Sequence, residues 1–344
     1  MERRETFSRI IRLKRQYNIN QEITMNQPLS VTSRLIILVV VALVFCATMI
    51  GLSIRHKTYS DSGIVFNDGN KKIDRTFTVR PDGKLIIDAD AGNITVGGTE
   101  SNEVTVRVMI RGNSDRLNNY DVSFNQDGNT VTVKGEMKRK HKWFFTDGWV
   151  DAQFEVTVPN KFNLDLRTAG GNIGINDVSG KLEGETSGGN LELSDISGSI
   201  KMSTSGGNVI VNRSSGTTEL ETSGGNMQAD DIVGPLRLET SGGSIDVRNA
   251  DGQLHASTSG GNIRASLKQN QGIDLSTSGG NIVVEVPRSV TGDVHAEASG
   301  GGVSCDLEFS GKIKDGRMDA KINGGGKDIR LETSGGDILI SPND

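Results

Sequence analysis

The residues that most invite a chemical reading are paired glycines. A Thr-Ser-Gly-Gly-Asn motif recurs with small variations, its first residues being Thr168, Thr186, Thr204, Thr222, Thr240, Thr258, Thr277, Ala298 and Thr333. Gly-rich loops can cradle phosphate through backbone N–H groups, but that chemistry needs a Lys-Ser/Thr after the glycines and a helix behind them. Neither follows any of these pairs. Calcium-binding Gly-rich repeats need a nine-residue Gly-Gly-x-Gly-x-Asp pattern; here the period is doubled and that Asp is missing. The four histidines, His56, His141, His255 and His295, show no ligand spacing, and two cysteines exclude a disulfide scaffold or Cys-rich zinc module. A polysaccharide-cleaving β-helix enzyme would need clustered acids in an aromatic-lined groove, and the repeats carry no aromatic column. No catalytic, cofactor-binding or metal-binding residue is assigned.

One cluster could contact a partner. Trp143, Phe144, Phe145 and Trp149 bring four of the chain's 15 aromatics into seven residues. Such rings suit a sugar or apolar face; the competing reading is a plug that closes one end of the fold.

The spacing of the motif defines the elements around it. The first six copies are 18 residues apart, and the next steps are 19 and 21. In the unit 186–203, Leu191 and Leu193 flank Glu192, and Ile200 and Met202 flank Lys201. That alternation is the period of a strand with one buried face. Eighteen residues are too few for a strand-helix-strand unit, so each unit is one coil of a β-solenoid, stacked about 4.8 Å from the next. The pairs Gly188-Gly189, Gly206-Gly207, Gly224-Gly225, Gly242-Gly243, Gly260-Gly261 and Gly279-Gly280 are expected as structural corners, held by the ease with which Gly adopts positive φ. Inward columns are expected at Ile173, Leu191, Val209, Met227, Ile245, Ile263 and Ile282, and at Leu182, Ile200, Leu236, Leu254 and Ile273. The corner Thr residues point inward, and Asn172, Asn190, Asn208, Asn226, Asn262 and Asn281 form a ladder. Outward, Glu183, Lys201, Glu219 and Arg237 alternate in sign.

Outside the array, Leu35 to Ile54 is a run of 20 residues without a charge, flanked by Arg34 and Arg55. At about 1.5 Å per residue it spans one hydrocarbon core. It is read as a transmembrane signal anchor, a cleaved signal peptide being the alternative. Residues 1–34 carry seven Lys/Arg and three acids, so the tail is placed inside. Residues 58–344 carry 29 Lys/Arg and 40 acids, which argues against nucleic acid as partner. The expected organisation is a basic cytoplasmic tail (1–34), the anchor (35–54), a linker (55–74), a β cap region (75–167) and the solenoid (168–344). The fold class is all-β: a solenoid of about 18 residues per coil, capped by an irregular N-terminal β layer and preceded by one transmembrane helix. Pro81-Asp82-Gly83 and Asp127-Gly128-Asn129 read as hairpin turns, residues 91–96 as a worn copy of the repeat, and Ile322-Asn323-Gly324-Gly325 as a degenerate one.

With Val156-Thr157-Val158-Pro159 ahead of the repeated corners, residues 75–344 resemble the bacterial adhesin-like family of β-strand-repeat proteins. The resemblance implies a surface or periplasmic protein, often membrane-anchored, with no catalytic residues to carry over. The expected function is a membrane-anchored, extracytoplasmic adhesin-like binding protein. The alternative is a structural or regulatory cell-envelope (envelope-stress) protein. Expected partners are a cell-surface, glycan or envelope protein and the membrane itself, with self-association through the solenoid ends.

Overall fold

Each coil winds because its turn residues fit the bends and its apolar residues fall on one side. In the coil Leu191–Thr204 the inward side chains are Leu191, Leu193, Ile196, Ile200, Met202 and Thr204, all buried. The computed structural model describes residues 64–67, 70–112, 114–138 and 151–343. These lie in one unit, Thr58–Asp344, which holds, among the described residues, twenty-six strands and one helix, Ser114–Asn119. Among the described residues no helix is long and apolar enough to cross a membrane. The apolar run 35–54, the tail 1–34 and the aromatic cluster 143–149 lie outside them.

The expected inward columns are all buried, and they run on two parallel ladders with an 18-residue register through the middle of the array. A third inward column was not expected: Val178, Ile196, Ser214, Ile232 and Ala250. One coil replaces an apolar pair in these columns by Ser214 and Thr218. Their hydroxyls are 3.2 Å apart and bond each other, so the buried polar atoms are satisfied.

The corner glycines work differently from the expectation. None of the six pairs has a positive φ. Positive φ belongs to the opposite corner, at Asp177, Asp195, Arg213, Asp231 and Asn249 and at Gly180, Gly198, Gly216 and Gly234. Asp and Asn are the side chains that best tolerate this region. The paired glycines instead answer to close stacking. A Cβ built on Gly189, Gly207, Gly225, Gly243, Gly261 or Gly280 falls inside 3.0 Å of the backbone of the coil before it. On the first glycine of each pair it meets only looser contacts; at Gly224 the nearest atom is 3.7 Å away.

Two hydrogen-bond systems fix this corner. Thr204 Oγ1 donates to Gly189 O at 2.7 Å and accepts from Gly207 N at 3.3 Å, and the same pair of bonds repeats at Thr186, Thr222, Thr240 and Thr258. The Asn ladder also forms, by side chain to backbone: Asn208 N donates to Asn190 Oδ1 at 2.8 Å, one coil on. The worn copy joins it, with Asn172 N donating to Asn93 Oδ1 at 2.9 Å and Thr168 Oγ1 to Gly92 O at 2.8 Å.

The order of coils departs from the order of the chain at both ends. Strand Asp328–Thr333 lies between Ile273–Thr277 and Gly292–Ala298, and Ile338–Pro342 lies between Ile282–Val286 and Val303–Cys305. The last coil of the sequence is therefore inserted beneath the one that precedes it. Thr333 Oγ1 donates to Gly280 O at 2.7 Å, Asp337 N to Asn281 Oδ1 at 2.8 Å, and Gly302 N to Asp337 Oδ1 at 2.8 Å. The coil made by Gly83–Ala89 and Asn93–Thr99 is inserted in the same way, against Thr130–Met137 and Asp151–Pro159 on one side and Phe162–Thr168 and Ile173–Thr186 on the other.

Antiparallel strands finish both ladders at the first end and one ladder at the second, where the other ends in the parallel strand Val303–Cys305. At the first end Glu103–Arg111, Asn70–Thr78 and Ile64–Asn67 extend one ladder and Tyr120–Asp127 extends the other. The span 55–74, expected as linker, thus contains sheet from Ile64 onward, because Asn70 to Thr78 pairs along the whole of Glu103–Arg111. The core runs through residue 168 unbroken, since Leu164 is in register with Leu182. Asp127-Gly128-Asn129 is the hairpin turn expected of it. Pro81-Asp82-Gly83 turns the chain at Asp82 (φ 62°) but makes no hairpin, because the strands it joins pair with others. At the second end Phe309–Lys314 and Arg317–Ile322 form a hairpin on Gly292–Ala298. Its turn is Asp315-Gly316, both at positive φ, the two-residue geometry that matches strand twist. Asn323, Gly324 and Gly325 form a turn of positive φ after this hairpin rather than a corner of the array.

Candidate functional site

The described surface with the most built character lies outward of the second ladder. Asp165, Glu183, Lys201, Glu219, Arg237, His255 and Asp274 stand in one register column, one per coil. Beside it run Arg167, Glu185, Ser203, Glu221, Glu239, Ser257 and Ser276. Alternation along strands and parallel register across them hold both columns on a grid of about 4.8 Å.

The first coils of this face enclose a shallow trough of about 480 Å³, open to solvent. Its walls carry the carboxylates of Asp165, Glu183, Glu185, Glu219, Glu221 and Glu239 against the cations of Arg167, Lys201 and Arg237. Gly184 lies in its floor, at an inward position that Met202 and Leu220 fill in the next two coils. The Met202 methyl occupies the space that a Cβ at Gly184 would need, as suits a flexible, polarisable side chain. The outward column Glu183, Lys201, Glu219 and Arg237 was legible in the sequence; the trough that it lines with the neighbouring column was not.

The expected sign-alternating ladder forms in part. Lys201 Nζ donates to Glu219 Oε2 at 2.8 Å. That hydrogen bond, and then the paired charge, raises Lys201 above the ordinary lysine range and lowers Glu219 below the ordinary carboxylate range. The outer two members turn along their own strands instead: Glu183 pairs with Lys181 at 2.7 Å and Arg237 with Glu239. His255 Nδ1 lies 3.2 Å from Asp274, and His295 Nδ1 lies 2.8 Å from Asp319. At the positive-φ corner Arg213 donates twice to Asp195, at 2.7 Å each, and these bonds hold the Asp195 carboxyl below its usual range. Exposed pairs of this kind add little stability; their effect is to fix the directions of surface charge.

The arrangement displays charge of both signs along the coils. Among the described residues no three His, Cys, Asp or Glu side chains converge to hold a metal ion. The thiol of Cys305 is half-buried, and desolvation pushes its pKa up, away from thiolate reactivity. Of the residues expected to matter, the twelve corner glycines are all described, and the second of each pair is the one pressed against the backbone of the neighbouring coil. Trp143, Phe144, Phe145 and Trp149 fall outside the described residues.

Fold and surface together define an all-β stacked-coil protein with a polar display face. A family model, Toastrack DUF4097, matches residues 83–341, and the chain belongs to that family. Among solved structures, a candidate cell-adhesion protein from Clostridium sporogenes is similar at 12% identity, covering 79% of this chain and 100% of its own, with a TM-score of 0.22. A candidate adhesin from Bacteroides fragilis is 14% identical, covering 78% and 97%, with a TM-score of 0.39. Another from Parabacteroides distasonis is 11% identical, covering 79% and 97%, with a TM-score of 0.33. No curated protein matches the chain.

Proposed function

We propose that this protein is a membrane-anchored, extracytoplasmic adhesin-like binding protein without catalytic activity. Residues 35–54 anchor it, 1–34 remain in the cytoplasm, and the solenoid is displayed outside. The observation that carries the reading is the outer face of the second ladder. Its charged side chains repeat once per coil on a backbone held by the Thr and Asn hydrogen bonds, and they line an acidic trough. A rigid, periodic array of this kind suits binding to a partner that is itself repetitive, such as a glycan or an envelope polymer, at little entropic cost. Trp143 and Trp149 belong to the same reading as a second contact point.

Two measurements test it. A reporter active only outside the cytoplasm, fused after Asp344, is expected to be active; activity from a cytoplasm-only reporter instead would invert the topology. Cells displaying the full chain are expected to bind a subset of a glycan array. The triple substitution Glu183→Gln, Glu185→Gln, Glu221→Gln is expected to weaken that binding while circular dichroism and melting stay unchanged. Absence of binding by the parent chain to every glycan would remove the glycan reading. The alternative, a self-associating structural or regulatory envelope protein, is favoured by one observation: among the described residues the strand Phe309–Lys314 is paired along one edge only.

A further inference from the structure

The second end of the stack is where, among the described residues, the apolar interior stops without cover. Phe309, Gly311 and Ile313 stand opposite Ile322, Ala320 and Met318, whose side chains are buried inward, so Phe309 and Ile313 face the same side as the core. Yet Phe309 is 37% and Ile313 39% exposed; Val233 is the one other large hydrophobic so exposed among the described residues. The first end is finished differently: Phe77 and Phe124 pack across it with ring centroids 6.3 Å apart, and Arg75 sits over the Phe124 ring at 5.7 Å. An exposed apolar edge strand is a template for another strand.

The sequence of this edge is complementary to itself. When two copies meet antiparallel about a two-fold axis at Gly311, Phe309 stands opposite Ile313 of the second copy, and Ser310 opposite Lys312. Glu308, just before the strand, stands opposite Lys314. Every position from 308 to 314 then has a compatible partner: an opposite-charge pair at each outer end, an aromatic–β-branched pair inside it, and glycines at the centre. Glu308 and Lys314 are exposed; Lys314 Nζ lies 3.5 Å from Asp315 Oδ2, an exposed pair that can give way to a partner across the interface. Two-fold antiparallel pairing also keeps both inward faces on the same side of the joined sheet, where Phe309 and Ile313 of both copies cover one another.

We propose that Phe309–Lys314 is a homotypic interface, through which two copies of this chain join their solenoids end to end into one continuous sheet, with Glu308 and Lys314 setting the register. This inference does not rest on the glycan-binding reading; either can fail alone.

Two differently tagged full-length chains, co-expressed and extracted in mild detergent, provide the test. The parent copies are expected to co-purify. Glu308→Lys in both copies brings two lysines together at each outer end of the pairing, and Lys314→Glu in both brings two acids together there. Each is expected to reduce co-purification at least about tenfold, a change of roughly 1.4 kcal/mol. A Glu308→Lys copy with a Lys314→Glu copy leaves no like-charge pair at either end: the substituted lysine of the first copy meets the substituted glutamate of the second, while Lys314 of the first meets Glu308 of the second. Opposite charges are thus restored at both ends, and the parent yield is expected to recover. Both substituted positions are exposed and outside the core, and circular dichroism of each variant checks that the β-structure is intact. Recovery in the mixed pair alone is the signature of this register. Equal co-purification in every combination would place any self-association elsewhere, and failure of the parent copies to co-purify would overturn the interface outright.

Discussion

Gly225→Ala is expected to destabilise the middle of the stack by at least about 3 kcal/mol, whereas Gly224→Ala, one residue earlier, costs less than about 0.5 kcal/mol. The two positions share a motif and a corner, and neither has a positive φ. What separates them is the neighbouring coil. Gly225 is buried, and a Cβ there would press into the Gly207 carbonyl oxygen and lie 2.8 Å from Asn208 N. Both are backbone atoms, which cannot rotate away as a side chain would. The coils would have to part, loosening the Thr222 bonds to Gly207 O (2.8 Å) and Gly225 N (3.3 Å) and the Asn226 N bond to Asn208 (2.9 Å). Gly224 is exposed, and its added methyl would meet nothing closer than 3.7 Å. Thermal melting followed by circular dichroism reads the contrast: a drop on the order of 10 °C for Gly225→Ala, and a shift of about a degree for Gly224→Ala. Similar losses from both would mean that the corner needs glycine for its backbone angles and not for close stacking.

The second large effect concerns Leu331, thirteen residues from the C-terminus. A terminal coil of a stacked array is expected to be its most tolerant part. Leu331→Ala is nonetheless expected to cost about 2–5 kcal/mol, because Leu331 is fully buried between Leu275 on one side and Ala296 on the other. Ile313→Ala, earlier in the chain but on the last strand of the stack, is expected to cost less than about 1 kcal/mol in the separated protein, its side chain being 39% exposed. Chemical denaturation of the two variants decides the order of severity. A Leu331 variant no worse than the Ile313 variant would place residues 328–342 at the outside of the stack.

These contrasts mark how far the sequence could be read. The 18-residue period and the alternation around Leu191, Leu193, Ile200 and Met202 specify the coil, its buried columns and the inward Thr, because one buried face and one exposed face admit a single register. Strands from 75 to 167 follow from the same alternation. The role of the glycine pairs was not legible, since a requirement for positive φ and a requirement for close backbone approach both read as Gly. Ile196 and its column were hidden inside a segment that looked like a turn, Asp195-Ile196-Ser197-Gly198, where positive φ at Asp195 and Gly198 swings one apolar side chain into the core. The coil order was hidden for a deeper reason. Repeats are interchangeable as neighbours: Thr333 and Asp337 fit against Gly280 and Asn281 as well as a next coil in sequence would. Pattern therefore fixes what each coil looks like and leaves open which coil it lies upon. The Asp315-Gly316 hairpin went unread, although Asp-Gly is a two-residue turn signal and the long spacing between corners 298 and 333 leaves room for it. The acidic trough showed itself only through its outward column, Glu183, Lys201, Glu219 and Arg237.

The inserted coil is the central structural claim, and cysteine pairs test it directly. Ser276 is in register with Glu332 on the neighbouring strand, and Glu332 with Glu297 on the next. Neighbouring strands lie about 4.8 Å apart, within disulfide reach, while positions two strands apart lie near roughly 10 Å, beyond the limit of about 7 Å between Cα atoms. In a chain with Cys46 and Cys305 replaced by Ser, oxidation of the Ser276→Cys, Glu332→Cys pair is expected to close an intramolecular disulfide, detected by mobility and peptide mass. The Ser276→Cys, Glu297→Cys pair is expected to stay reduced. The opposite result, with 276 joined to 297 and not to 332, would show coils stacked in the order of the chain and would contradict the fold described above.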